Sequence, residues 1–494
     1  MRETVPAHAL RPGEPTVRGP HGVALLLFVL VWFSCAWFGS WPLNPNNATR
    51  LFAAFSIVER GDATIDRYQS LTIDKAQFGD HYYMDKAPGM TLMAVPLVWG
   101  VQKITGGETR DLVIDGANPR LMRFMALRLR VAVAIGAALL TAFAAVLLLD
   151  LATGITGSPA AGLYAALGYA LGSIVWGWST TMLGHAPVAA LLLIATWAIW
   201  RGTSGAGELT RWRYPVIAGL ALGWAVVIEF QAALGGVAIA GWALWRTQGV
   251  AWPMRGRVLA LAVGAGIVAV LPLFAYNLFA FGTLFRLGYQ GVVGFNGMQQ
   301  GLFGLTYPKP GALFGILFGV RRGLLWVSPV IVLGAVGLFY MIRTRETRDL
   351  GVLAAAVIAI VLMVNASYVY WDGGASIGPR HSVPAIPFLA LGLAVLWARS
   401  RKAWQRAALV VVLALSMAIN LMIASTDIFG SEAYANPLWD RTILAMFLPG
   451  NLSTIPGDFF GWSAWRGFFL YLDVAVPLLA LLILWTRAAE RQAR

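Results

Sequence analysis

Apolar runs of about twenty residues recur from one end of this chain to the other. A bilayer's hydrocarbon core asks for about 20 apolar helical residues per crossing, because a helix rises about 1.5 Å per residue across roughly 30 Å. Such runs occupy 22–41, 131–150, 160–182, 186–200, 214–230, 231–246, 258–280, 323–342, 350–369, 382–398, 407–425 and 469–487. A soluble fold would have to hide all of them. The composition argues against that, with 58% hydrophobic and only 12% charged residues among 494, where a soluble domain carries about 25% charge. The fold class expected is an all-α polytopic membrane protein, a bundle of about twelve transmembrane helices.

The formal charge of +14 would suit a nucleic-acid partner. Its distribution excludes that reading. Arginines collect in short loops between runs: Arg201, Arg211 and Arg213; Arg246, Arg255 and Arg257; Arg343, Arg345 and Arg348; Arg399, Arg401, Lys402 and Arg406. If each run crosses once, all these loops fall on one side, which the positive-inside rule makes the cytoplasm. The long polar segments 42–128, 281–322, 370–381 and 427–468 then lie on the other side. The chain divides into a cytoplasmic tail 1–21, a transmembrane domain 22–487 and a tail 488–494, with 42–128 as the first outer loop.

Parity decides one doubtful run. Residues 90–104 are apolar but short and contain Pro96. A crossing there would invert every later loop, so 88–105 reads as a helix at the outer interface. This leaves Arg110, Arg120, Arg123, Arg128 and Arg130 on the outer side, against the rule. Cys35 is the only cysteine, so no internal disulfide forms.

The outer loop holds the chemistry. In "NPNNATRLFAAFSIVERGD", Leu51, Phe52, Phe55 and Val58 recur at helical spacing, the pattern of an amphipathic helix suited to the membrane surface. The next stretch offers Asp66, Asp74, Lys75, Asp80, His81, Asp85 and Lys86 in a short compass. "YYMDKAPGM" sets Tyr82 and Tyr83 ahead of the Asp85–Lys86 pair and a Pro-Gly turn. Further along, His185 opens an apolar run, and Glu229 sits inside one, where a carboxylate is costly. "YWDGGASIGPRH" brings Tyr370, Trp371, Asp372, Arg380 and His381 around flexible glycines. Aromatic rings suit sugar faces, and they also belong to any interfacial belt. Arg321 and Arg322 stand at the outer edge of a run, as phosphate contacts or as snorkelling side chains. No His/Cys cluster has metal-ligand spacing.

"NNATRLFAAFSIVERGD" followed by "YYMDKAPGMTLMAVPLVW" resembles the first periplasmic loop of the GT-C glycosyltransferases, nearest to the protein O-mannosyltransferase and lipid A aminoarabinose transferase group. Arg50 matches the arginine of the family's acidic motif. Asp85-Lys86 and Ala87-Pro88 match its later Glu-Lys and Pro-Pro. The likeness continues in order through "STTMLGHAPVAALLLI", "VVIEFQAALGG", "FGTLFRLGYQG" and "WDGGASIGPRHSVPAIPFL". The family's catalytic aspartate falls on Asn47, which takes no proton at neutral pH.

The resemblance implies a bacterial inner-membrane enzyme facing the periplasm, with a GT-C-like bundle and interfacial helices in its first outer loop. It would move a sugar from a polyprenyl-phosphate donor to a lipid, glycan or protein hydroxyl. Asp74, then Asp66, then Asp85 stand as the base in place of Asn47, and Asn47→Asp should be tolerated. Asn47, Arg50, Tyr82, Tyr83, Lys86, Arg123, His185, Glu229, Trp371, Asp372, Arg380 and His381 would bind substrate. No cofactor is assigned, and a divalent cation among the loop aspartates is left open. Membrane lipids are the other partner. The alternative is a non-catalytic binder or flippase of lipid-linked sugars, which Asn47 favours.

Overall fold

The computed structural model describes residues 21–430 and 432–492. The expected N-terminal tail lies outside the described residues apart from His21. Six helices are long and apolar enough to cross a membrane: Pro119–Thr156, Trp252–Phe281, Arg348–Ser367, Arg380–Arg399, Ala403–Thr426 and Ala464–Gln492. His21–Trp37, Arg213–Ile228 and Pro329–Arg343 are shorter apolar helices. The protein is an all-α polytopic membrane protein. A count of twelve needs the shorter helices as well, and length and composition alone mark six.

Several boundaries differ from the periodicity. The run 160–182 is not one helix. It forms Pro159–Ala170, breaks, and makes a single turn at Val175–Trp178. The final helix continues past 487 to Gln492, so the tail expected from 488 begins as helix. Glu229, extended at φ −148°, separates Arg213–Ile228 from Ala232–Arg246.

Polar contacts sort the loops to two ends. At one end Arg201 pairs with Asp150 at 2.5 Å, Arg246 with Asp349 at 2.6 Å, Arg399 reaches Thr344 at 3.0 Å and Ser158 reaches Glu490 at 2.8 Å. The arginine-rich loops thus gather together. The segments expected outside meet at the other end, where Arg50 reaches Glu229, Arg322 reaches Asp372 and Trp41 reaches Asp427.

The first outer loop folds into a helical layer with its own core. Pro45–Arg60 is capped by Asn44 and closed by Gly61 at φ 68°. Leu51, Phe52 and Phe55 are fully buried, with Phe52 stacked on Tyr68 at 4.7 Å and Phe55 edge-on to Phe124 at 5.4 Å. This corrects the surface-helix expectation: the apolar stripe is covered by protein, not lipid. Gly89–Thr105, with Pro96 inside, packs against this helix and against Pro119–Ile135. Its C-terminal end stays in the outer layer, where the Gly107 carbonyl accepts Arg128 at 2.8 Å. The long span bends at Gly136, so residues 119–135 belong to this layer and 137–156 continue into the bundle.

The arginines expected on the outer side, against the positive-inside rule, staple this layer. Arg130 donates to the Trp37 carbonyl at 2.7 Å and pairs with Asp458. Arg123 donates to the Phe459 carbonyl at 2.9 Å. Arg128 lies 3.3 Å from the Phe124 ring centre, and Arg110 pairs with Glu108 at 2.7 Å. A two-stranded antiparallel hairpin, Ala76–Phe78 with His81–Tyr83, edges the layer.

Candidate active site

A chain of side chains crosses the outer end, starting from Lys86. The Pro88–Gly89 turn starts a helix directly after it, which fixes Asp85 and Lys86 at the base of that helix. Lys86 pairs with Asp85 at 2.7 Å and with Asp74 at 3.4 Å. Asp74 accepts the amide of Asn46 at 2.5 Å. The Asn46 amide oxygen accepts Arg50 at 2.7 Å, and Arg50 reaches Glu229 at 3.4 Å. The chain thus links residues far apart in sequence, and most of it is dry: Arg50 is 1%, Asp85 1% and Asp74 4% exposed.

Burial pushes the Asp85 carboxyl up to about 6; Lys86 opposes that shift and Asp74 adds to it. Burial disfavours the Lys86 ammonium too, but the two carboxylates outweigh it and hold Lys86 above its ordinary value. One Asp85 oxygen is buried without any hydrogen-bond partner. An orphaned buried acceptor calls for an explanation, and a proton-accepting role supplies one.

Beyond Glu229 lies a small cleft of about 40 Å³ between helices His185–Gly202, Ala232–Arg246 and Arg348–Ser367. His185, His381 and Glu229 form its polar end, and Val188, Leu192 and Val361 line its walls. The two imidazoles meet edge to face at 5.0 Å. Arg380 reaches His381 at 3.4 Å, and Tyr368 packs on the other side of that ring at 5.2 Å. Half-buried Arg380 has no carboxylate partner among the described residues, whereas Arg50 and Lys86 are paired. A guanidinium offers five donors and stays charged, so this one is open to an anion.

The other expected site residues lie elsewhere or do other work. Asp66 is half-exposed, holding His81 at 2.7 Å and the Tyr82 amide at 2.6 Å. Tyr82 lies under Lys75, and Tyr83 packs on Phe281 at 5.2 Å. Arg123 is engaged at Phe459, in the outer layer. Trp371 packs beside Ala312, Ile316 and Ala366. The Asp372 side chain caps Gly374, while the backbone carbonyls of both accept buried Arg322. Arg322 therefore anchors the glycine loop that carries Arg380. Arg321 reaches the Glu432 carbonyl at 2.8 Å.

Asn47 is fully buried and fully used. Its amide donates to Ser40 at 3.1 Å and to the Trp41 carbonyl at 3.0 Å, while its oxygen accepts the Met182 amide at 2.9 Å. It faces away from the ionic chain. Its neighbour Asn46 is the asparagine in that chain, and sequence reasoning passed over it. Tyr289 and Tyr368 also escaped notice individually. No group of three potential metal ligands occurs among the described residues.

No family model and no curated protein matches the chain. Solved structures do. The chain is similar to ArnT from Cupriavidus metallidurans bound to undecaprenyl phosphate, at 14% identity over 96% of this chain and 76% of that one, with a TM-score of 0.46. The same protein in the apo state gives 15% identity and a TM-score of 0.47 over the same shares. The S. cerevisiae protein O-mannosyltransferase Pmt1-Pmt2 complex bound to the sugar donor is similar at 16% identity over 58% of this chain and 38% of that one, with a TM-score of 0.37. Identities this low assign no residue, and the chemistry rests on the side chains described above.

Proposed function

We propose that the chain is a membrane glycosyltransferase that moves a sugar from a polyprenyl-phosphate donor to an acceptor hydroxyl on the periplasmic face of a bacterial inner membrane. The observation that carries this is Arg380, a half-buried cation without a carboxylate, beside the two histidines at the polar end of an otherwise apolar cleft. A phosphate on an apolar chain fits that combination. Arg380 and Lys86 would take the phosphate, one as a fork and one as a point charge.

In the transfer, the acceptor oxygen forms a bond to the anomeric carbon as the bond from that carbon to the phosphate oxygen breaks. The electron pair leaves with the lipid phosphate, whose charge grows, and nearby cations stabilise it. The acceptor proton goes to a carboxylate. Asp85 is the favoured carboxylate, since Lys86 holds one of its oxygens and leaves the other buried and unpartnered; Asp74, held by Asn46 and Lys86 through one oxygen, is the alternative. Asp66 is committed to His81 and Tyr82.

The second reading is a non-catalytic binder or flippase, favoured by Asn47, which supplies hydrogen bonds where the related motif has an acid. Release of free polyprenyl phosphate from a labelled donor, with membrane extract supplying the acceptor, separates the two. Release that disappears in Asp85→Asn supports transfer. Tight donor binding by the wild type with no release, across a panel of donors, replaces transfer with the second reading.

A further inference from the structure

The segment after helix Trp252–Phe281 is docked onto the strand that carries the site. The Val293 amide donates to the Lys75 carbonyl at 3.1 Å, and Val292 bridges Ala76. Gly288 lies flat on the Met84–Asp85 backbone: a Cβ there would stand 2.7 Å from the Met84 carbonyl oxygen and 3.1 Å from the Asp85 Cα. Only a glycine allows this approach, and it delivers the next residue, Tyr289, to the site. The Tyr289 ring packs on Phe230, the residue that follows Glu229, at 5.5 Å and on Phe303 at 5.9 Å. Its hydroxyl makes no hydrogen bond to any described residue, and Glu229, Tyr368, Asp85 and Arg50 are its charged and polar neighbours. Unlike the Tyr169 and Tyr276 hydroxyls, it is not sealed in the core, so it is accessible to a ligand.

This inference rests on the proposed transferase reading and deepens it. We propose that Tyr289 and Glu229 form the sugar subsite, in which the free Tyr289 hydroxyl hydrogen-bonds the donor's sugar while Arg380 holds the phosphate. The charges divide the site this way. The Glu229 carboxylate repels a phosphate but accepts hydrogen bonds from sugar hydroxyls, and an aromatic wall of Phe230, Tyr289 and Phe303 suits a sugar face. Arg380, with no ion-pair partner among the described residues, is the place for the anion.

The test compares two ligand types on the full-length protein in detergent or nanodiscs. Bare undecaprenyl phosphate reports the phosphate contact, and a panel of undecaprenyl-phosphate hexoses and pentoses reports the sugar contact. Tyr289→Phe removes one oxygen and keeps the ring packing, and an unchanged melting temperature verifies the fold. The wild type should prefer at least one glycosylated lipid over the bare one. Tyr289→Phe should lose roughly three- to tenfold in affinity for that lipid, the scale of one neutral hydrogen bond, and nothing for the bare lipid. Arg380→Ala should weaken both. Equal loss for the two ligand types in Tyr289→Phe, no loss for either, or a wild type indifferent to the sugar overturns the subsite. A wild type that binds neither ligand type overturns the transferase reading itself, and the subsite with it.

Discussion

Asp85 is the residue on which the proposed chemistry turns. Asp85→Asn keeps shape and removes the proton acceptor, so transfer should fall by about 10²–10⁴ while donor binding persists. Because burial raises the Asp85 carboxyl to about 6, its active, ionised form is lost as pH falls through that value. The transfer rate should therefore rise with pH and level off above about 6. Stability should run the other way: the folded state holds the Asp85 proton more tightly than the unfolded chain, so this residue's contribution weakens as pH rises from about 4 to about 6. A flat rate profile from pH 5 to 8 contradicts the assignment. Asn47 gives the contrasting case. An aspartate there could not donate to Ser40 and the Trp41 carbonyl, and it would bury a charge. Asn47→Asp should cost about 1–3 kcal/mol, read as a lower melting temperature, which reverses the expectation that it would be tolerated. Composition and motif made Arg50, Lys86, Glu229, Arg380 and the loop aspartates legible as site material. They did not show which of two adjacent asparagines enters the ionic chain. That depends on helical phase, about 100° per residue, and the phase of Pro45–Arg60 is set by the burial of Phe52 and Phe55 against partners in later segments.

At the scale of elements, the amphipathic pattern of Pro45–Arg60 was legible, but its partner was not. Periodicity reveals an apolar stripe and is silent on whether lipid or protein covers it. Here Tyr68 and Phe124 do. The break near Glu229 was legible as the boundary between runs 214–230 and 231–246, but that this carboxylate would reach Arg50 was not. The docking of 288–293 on the hairpin left no periodic signal. Gly288 was its only trace, readable only once the Met84–Asp85 backbone lay against it. Gly288→Ala should push the two segments apart, costing roughly 1–3 kcal/mol and weakening donor binding. Gly311→Ala, where an added Cβ meets open space, should change neither melting temperature nor binding. Equal behaviour of the two variants contradicts the close approach.

For the whole molecule, the arginine bias and the parity of apolar runs anticipated the gathering of basic loops at one end, away from the ionic chain. Cysteines introduced singly into a Cys35→Ala background should label at 66–80 from outside, and at 203–209 and 345–349 only after permeabilisation. Outside labelling at 203–209 reverses the orientation and moves the site to the cytoplasmic face. The central claim is that this end of the bundle holds a lipid phosphate. Its most direct measurement is the affinity of undecaprenyl phosphate for the wild type, Lys86→Ala, Arg380→Ala and Lys402→Ala, the last being an exposed lysine between spans in the basic-loop region. Losing one charge-assisted contact should cost about 1.5–3 kcal/mol, so Lys86→Ala and Arg380→Ala should each bind roughly ten- to a hundredfold more weakly, with Lys402→Ala unchanged. Equal affinity in all four proteins would contradict the account.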